Sequence, residues 1–159
     1  MIILKTLTKE RLTQFFLDDP KLICFGLSDD YIVNLYENKE YSLSENSKYL
    51  GFYDNNTLVG ILKYELFTNI AICVHPYLSS KLHGKGKGQE IGMVTYNFIK
   101  EAYPTLTKIL VICPESCPKV HAAVERFGMK LEGQLKDTII WRKQTEDLRI
   151  YGMNIVRDE

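Results

Sequence analysis

Three lysines and three glycines crowd the stretch Lys81-Leu82-His83-Gly84-Lys85-Gly86-Lys87-Gly88-Gln89, and that combination suits the capture of an anion. Glycine lets backbone N–H groups turn toward a ligand with no Cβ in the way. A helix starting near Gly88 would add the positive end of its dipole. No Asp or Glu occurs from Leu66 through Gln89, so the local field favours a phosphorylated ligand. The string is not a P-loop and lacks the third glycine of a dinucleotide fingerprint. The plainer reading is a surface loop with solvated lysines.

Candidate proton-transfer groups flank this loop in the chain: Glu65, His75 and Glu115 as bases, and Tyr64, Tyr77 and Tyr96 as acids. Each has a bland alternative. His75 beside Pro76 can satisfy a turn, Glu115 can cap a helix starting near Lys119, and tyrosines usually pack. Cys113, Cys117 and His121 are evenly spaced, but Pro114 and Pro118 interrupt them and no second ligand pair exists, so no metal site is expected.

The elements that must position these groups follow from periodicity. A short strand, Ile2 to Leu7, precedes a helix over Lys9 to Leu17 capped by Thr8, and a second helix is expected over Asp29 to Asn38. Tyr49 to Tyr53 and Leu58 to Phe67 flank the turn Asp54-Asn55-Asn56 as a hairpin. Asn69 to His75, closed by Pro76, reads as a buried strand. A helix over Gln89 to Ala102 and a strand over Lys108 to Cys113 come next, then a helix over Lys119 to Phe127 stopped by Gly128. Two last strands, about Met129 to Arg142 and Leu148 to Val156, are expected to flank a turn at Gln144 to Asp147. The order predicts an α/β (α+β) fold over residues 1–159 as a single domain, a mixed central sheet of about seven strands with helices on both faces.

Composition restricts the functions open to this frame. With 45% hydrophobic and 25% charged residues the 159-residue chain is ordinary for a globular domain. Twenty basic residues cancel twenty acidic ones, which argues against binding nucleic acid or membranes through net charge. Aliphatic runs of about five residues fall far short of the roughly 20 needed to cross a bilayer. A cytoplasmic protein with Cys24, Cys73, Cys113 and Cys117 as free thiols is expected.

His83 to Gly88 resembles the Arg/Gln-x-x-Gly-x-Gly/Ala pyrophosphate loop of the GNAT superfamily of acyl-CoA N-acyltransferases. Ala122 to Glu132, with Arg126-Phe127-Gly128-Met129-Lys130-Leu131-Glu132-Gly133, resembles the ribosomal-protein N-terminal acetyltransferase branch, as does Asp147-x-x-x-Tyr151. The resemblance covers about residues 47 to 155. It implies acetyl-CoA as cosubstrate, held by His83, Gly84, Lys85, Gly86, Lys87 and Gly88, by the strand segment Ile72, Cys73 and Val74, and by Cys117. It further implies an amine acceptor, a peptide N-terminus or a small molecule, and allows a homodimer. Three positions depart from the pattern: His83 replaces Arg or Gln, Cys117 a CoA-contacting Asn, and Val124 the tyrosine general acid. These departures sustain a competing reading, a non-catalytic CoA-binding or interaction module on the same fold. The acidic, tyrosine-rich stretch Ser28 to Asn56 hints at a cationic or aromatic acceptor.

Overall fold

The computed structural model describes residues 1–19, 45–141 and 144–157. Seven strands form one sheet: β1 (Ile2–Thr6), β2 (Lys48–Asp54), β3 (Thr57–Leu66), β4 (Ala71–Leu78), β5 (Lys108–Pro114), β6 (Lys130–Trp141) and β7 (Gln144–Asn154). Their order is β1-β2-β3-β4-β5-β7-β6. All neighbours are antiparallel except β4 and β5, which run parallel. The described helices are α1 (Lys9–Asp18), α2 (Gly88–Ala102) and α3 (Pro118–Arg126). The mixed seven-stranded sheet with helices on both faces is therefore as expected. The helix expected over Asp29 to Asn38 and most of the acidic stretch lie outside the described residues. No described helix is long and apolar enough to cross a membrane.

Helix spacing decides which face each helix covers. In α1 the Thr8 side chain accepts the Arg11 N–H at 3.3 Å. Leu12, Phe15 and Phe16 share one stripe and pack with Ile61 and Tyr77. Phe16 meets the Tyr77 ring edge-on at 5.3 Å. The opposite face buries Ile91 and Ile99 of α2 over Phe52, Leu62, Ile72, Val74, Val111 and Tyr151, with Val120 and Val124 of α3 packed alongside. α2 and the end of α3 approach so closely that a Cβ on Gly92 would lie 2.5 Å from the Phe127 ring.

Two boundaries differ from the sequence expectation. β4 does not stop at Pro76 but runs on to Leu78. Proline is tolerated because only β3 still flanks β4 there: Leu62 lies opposite Pro76, while the last β5 pairing is at Cys73. Gln144 to Asp147 is not a turn but the start of β7, with Trp141 opposite Gln144 and Thr145 opposite Ile140. The polarity of this segment reflects an exposed hairpin arm, since Gln144 and Thr145 are both exposed.

Candidate functional site

The parallel pair holds the feature around which the other groups gather. β4 and β5 are joined only through Ala71↔Lys108, Ile72↔Ile109 and Cys73↔Leu110, although both strands continue beyond these pairs. Past Cys73 they diverge. One side of β4 and the facing side of β5 then carry backbone groups without ladder partners, and such groups call for a ligand, water or another segment. Ile72 and Val74 point into the core, at 0% and 4% exposure, so only their backbone can face this gap.

The glycine-lysine loop lies at the same end of the sheet. β4 leads into a 3-10 turn, Ser80–Leu82, pinned by Asp19, whose carboxylate accepts the Ser80 N–H at 2.7 Å and the Ser79 hydroxyl at 3.2 Å. Gly84 and Gly86 have φ of +75° and +70°, the left-handed region where a side chain is strained. A Cβ at Gly84, Gly86 or Gly88 would meet nothing within 4 Å, so the glycines line open space. No side chain caps α2 at Lys87, which leaves the dipole end of a 15-residue helix facing the loop. The arrangement offers backbone N–H groups and the positive end of a helix dipole to an anion.

The loop lysines are not equivalent. The Lys87 ammonium lies 2.8 Å from Glu90 and 3.7 Å from Asp54. Glu90 also accepts the Ile2 N–H at 2.7 Å. The hydrogen bond to Glu90 holds Lys87 above the usual lysine range, and the same bond lowers the Glu90 carboxyl. Lys87 thus ties α2 to the β2–β3 hairpin, a structural tie that the local sequence, free of acids up to Gln89, did not reveal.

Strand register brings two of the three candidate bases together. Glu65 lies opposite Cys73, and Lys63 opposite His75. By alternation, Glu65, Cys73 and His75 share the face of the sheet that α1 covers further along, where Tyr77 packs. The Ser47 hydroxyl donates to Glu65 at 2.7 Å. The Cys73 sulfur lies 3.3 Å from His75 Nε2. Burial pushes the Cys73 thiol up to about 12, with help from the Glu65 charge. Burial, then nearby Lys63, lowers His75 to about 4, so its ring is neutral at physiological pH. Ser47 and the thiol of Cys73 as a partner of His75 are additions that only the register could supply.

Glu115 stands apart. Its carboxylate takes a 2.6 Å bond from Arg149 on β7 and a 3.4 Å bond from Gln134 on β6. Cys117 forms the buried N-cap of α3. Nearby, buried His121 places Nδ1 3.5 Å from the Cys113 sulfur and Nε2 3.0 Å from the Glu115 carbonyl. Among the described residues no group of three or more His, Cys, Asp or Glu is arranged to hold a metal. The candidate acids are engaged elsewhere: Tyr64 packs with Phe98 and Tyr103 in the core, its hydroxyl raised by burial. Tyr77 packs on Phe16, and the Tyr96 hydroxyl accepts the Val156 N–H at 2.8 Å.

Known proteins share this architecture. The model of a family described as "Protein of unknown function (DUF2824)" matches residues 6–156. No curated protein matches the sequence. Spermidine N-acetyltransferase from Vibrio cholerae, solved in complex with CoA and spermine, superposes with a TM-score of 0.73 at 15% identity, covering 97% of this chain and 95% of that one. A protein described as a candidate phosphinothricin N-acetyltransferase superposes with a TM-score of 0.75 at 14% identity, covering 99% and 100% of the two chains. A dodecameric form of the Vibrio cholerae enzyme gives 0.70 at 14% identity, covering 96% and 93%. At these identities the likeness establishes a shared fold, that of the GNAT acetyltransferases.

Proposed function

We propose that this chain, which belongs to the DUF2824 family of proteins of unknown function, is an N-acyltransferase that moves an acetyl group from acetyl-CoA to a primary amine, either a peptide N-terminus or a small molecule, by direct transfer in a ternary complex. The observation that carries the reading is the divergence of β4 and β5 beyond Cys73, beside an uncapped helix start and an open glycine cradle. Gly84, Gly86 and Gly88 would hold the pyrophosphate, with Lys85 supplying mobile charge. Acetyl-CoA supplies an activated acyl group with a good thiol leaving group, so holding two reactants together provides much of the acceleration.

The remaining groups have assigned tasks. Pro76 has no N–H to give β3, so its nitrogen faces away from that strand, and alternation gives Val74 the same direction. The Val74 N–H would then polarise the thioester carbonyl from the gap. Glu65, steadied by Ser47, receives the proton of the attacking amine. His75, neutral and beside Cys73, is the other candidate on this face, and Glu115 is the weaker one because Arg149 already occupies it.

Deprotonating an α-amine of pKa about 7.7 costs about 1 kcal/mol at neutral pH, against about 5 for a lysine near 10.4. With Val124 where the family's tyrosine acid would stand, the site suits an amine already partly neutral. The Arg126 to Gly133 string supports a placement nearest the ribosomal-protein N-terminal acetyltransferases.

Calorimetric titration with CoA, followed by mass spectrometry of peptides, amino acids and polyamines incubated with acetyl-CoA, tests the reading. CoA binding with transfer to an amine is expected, faster to N-termini than to lysine side chains. Absence of CoA binding would refute it, and tight binding with no transfer to any amine would favour the binding-module reading that Val124 and Cys117 motivate.

A further inference from the structure

A cavity of about 540 Å³ opens on the sheet face that carries Glu65, Cys73 and His75. Ala71 and Leu110 line it, at 5% and 6% exposure, together with Ile150 and Gly133. Leu110 is the register partner of Cys73, and Ala71 lies two residues before it on β4, so the cavity begins one pleat, roughly 7 Å, from Cys73, the residue opposite Glu65. Phe67 and Ile70, on the turn between β3 and β4, stand at its mouth with more than half their surfaces exposed. Its charged groups cancel: the Lys108 ammonium lies 2.7 and 2.8 Å from the two oxygens of Glu132.

We infer that this cavity receives the apolar body of the acceptor and presents its amine to Glu65. The inference rests on the proposed acyl transfer and names the class of its acceptor: an α-amine of low pKa whose own side chain is aromatic or branched aliphatic. A polyamine fits poorly. Its inner ammonium groups would be taken from water onto apolar walls beside Lys108, and the carboxylate at that place is already spent on Lys108. An apolar body instead covers Leu110, Ile150, Phe67 and Ile70 and leaves the ion pair at the rim intact.

Gly133 offers a clean perturbation. A Cβ there meets only Ile150 at 3.9 Å, an ordinary contact, so a larger side chain grows into the cavity without strain on the backbone. Saturation-transfer NMR on the protein without CoA would compare phenylalaninamide with spermidine, in wild type, Gly133→Phe and Phe67→Ala. Phenylalaninamide is expected to bind on the order of tenfold more tightly than spermidine. Gly133→Phe should abolish that preference, and Phe67→Ala weaken it, with unchanged CoA affinity by calorimetry. Equal or tighter spermidine binding, or a preference untouched by Gly133→Phe, would overturn the inference. Phenylalaninamide binding that Gly133→Phe removes, with no acetyl transfer detected, would uphold the cavity and sink the transferase reading instead.

Discussion

At the scale of single residues, the site separates groups that could move a proton from groups already committed. Glu65 has one hydroxyl partner and an open role, whereas Glu115 is held by Arg149. Glu65→Gln should therefore lower turnover by about 100-fold with CoA affinity unchanged, while Glu115→Gln changes turnover by less than about 10-fold. Stopped assays with calorimetry on the same preparations check both. His75 carries a separate signature in stability. Its folded value near 4 lies below the ordinary 6.5, so the unfolded chain binds the extra proton between those two values. Stability is then fully present above about pH 6.5 and declines as pH falls toward about 4. Denaturant titrations at pH 7 and pH 5 should show a drop in the wild-type midpoint that shrinks in His75→Gln. An identical drop in both would remove His75 from the account.

At the scale of elements, the loop and the strand pair differ in how much of them sequence could convey. The glycine-lysine loop is readable because residue type alone dictates it: a positive φ wants glycine, and an anion wants N–H groups and lysines. The divergence of β4 from β5 is not, because it depends on which residues stop pairing, and Pro76 read locally as a strand end. Nor could spacing show Glu65 meeting Cys73, since that is a register fact between strands whose turn had first to be placed. The loop glycines also differ among themselves. Gly86 sits at φ +70°, so Gly86→Ala should cost about 1 kcal/mol of stability as well as CoA affinity. Gly88 has no such backbone demand and open space around it, so Gly88→Val should abolish CoA binding while the melting temperature barely moves. Thermal melts paired with CoA titration decide this, and a Gly88→Val protein that still binds CoA would remove the loop from the site. Lys85→Gln should weaken and flatten the salt dependence of CoA binding, whereas Lys87→Gln also loosens the tie to Glu90 and Asp54.

At the scale of the whole molecule, the order of elements, the faces they cover and the seven-stranded sheet were legible from periodicity and turn chemistry, because helix stripes such as Leu12, Phe15 and Phe16 have one reading. The β6–β7 arm was misread at its tip since Gln144 to Asp147 are polar in a strand as they would be in a turn. The join between β4 and β5 reaches furthest beyond the site. Strands β1 to β4 form an antiparallel meander, β5, β7 and β6 an antiparallel group in which α3 carries the chain from β5 to the outer strand β6, and three ladder pairs join the two. The core under α2 runs across this join, from Phe52 and Leu62 to Val111 and Tyr151, so the join is weak in its backbone ladder and continuous in its side-chain packing. In native-state hydrogen exchange, the amides beside Cys73 and Leu110 should be the first of the sheet to lose protection, ahead of those inside the antiparallel ladders on either side. A ligand spanning the seam would then act as a clasp, slowing exchange on both strands at once although it touches only their shared border.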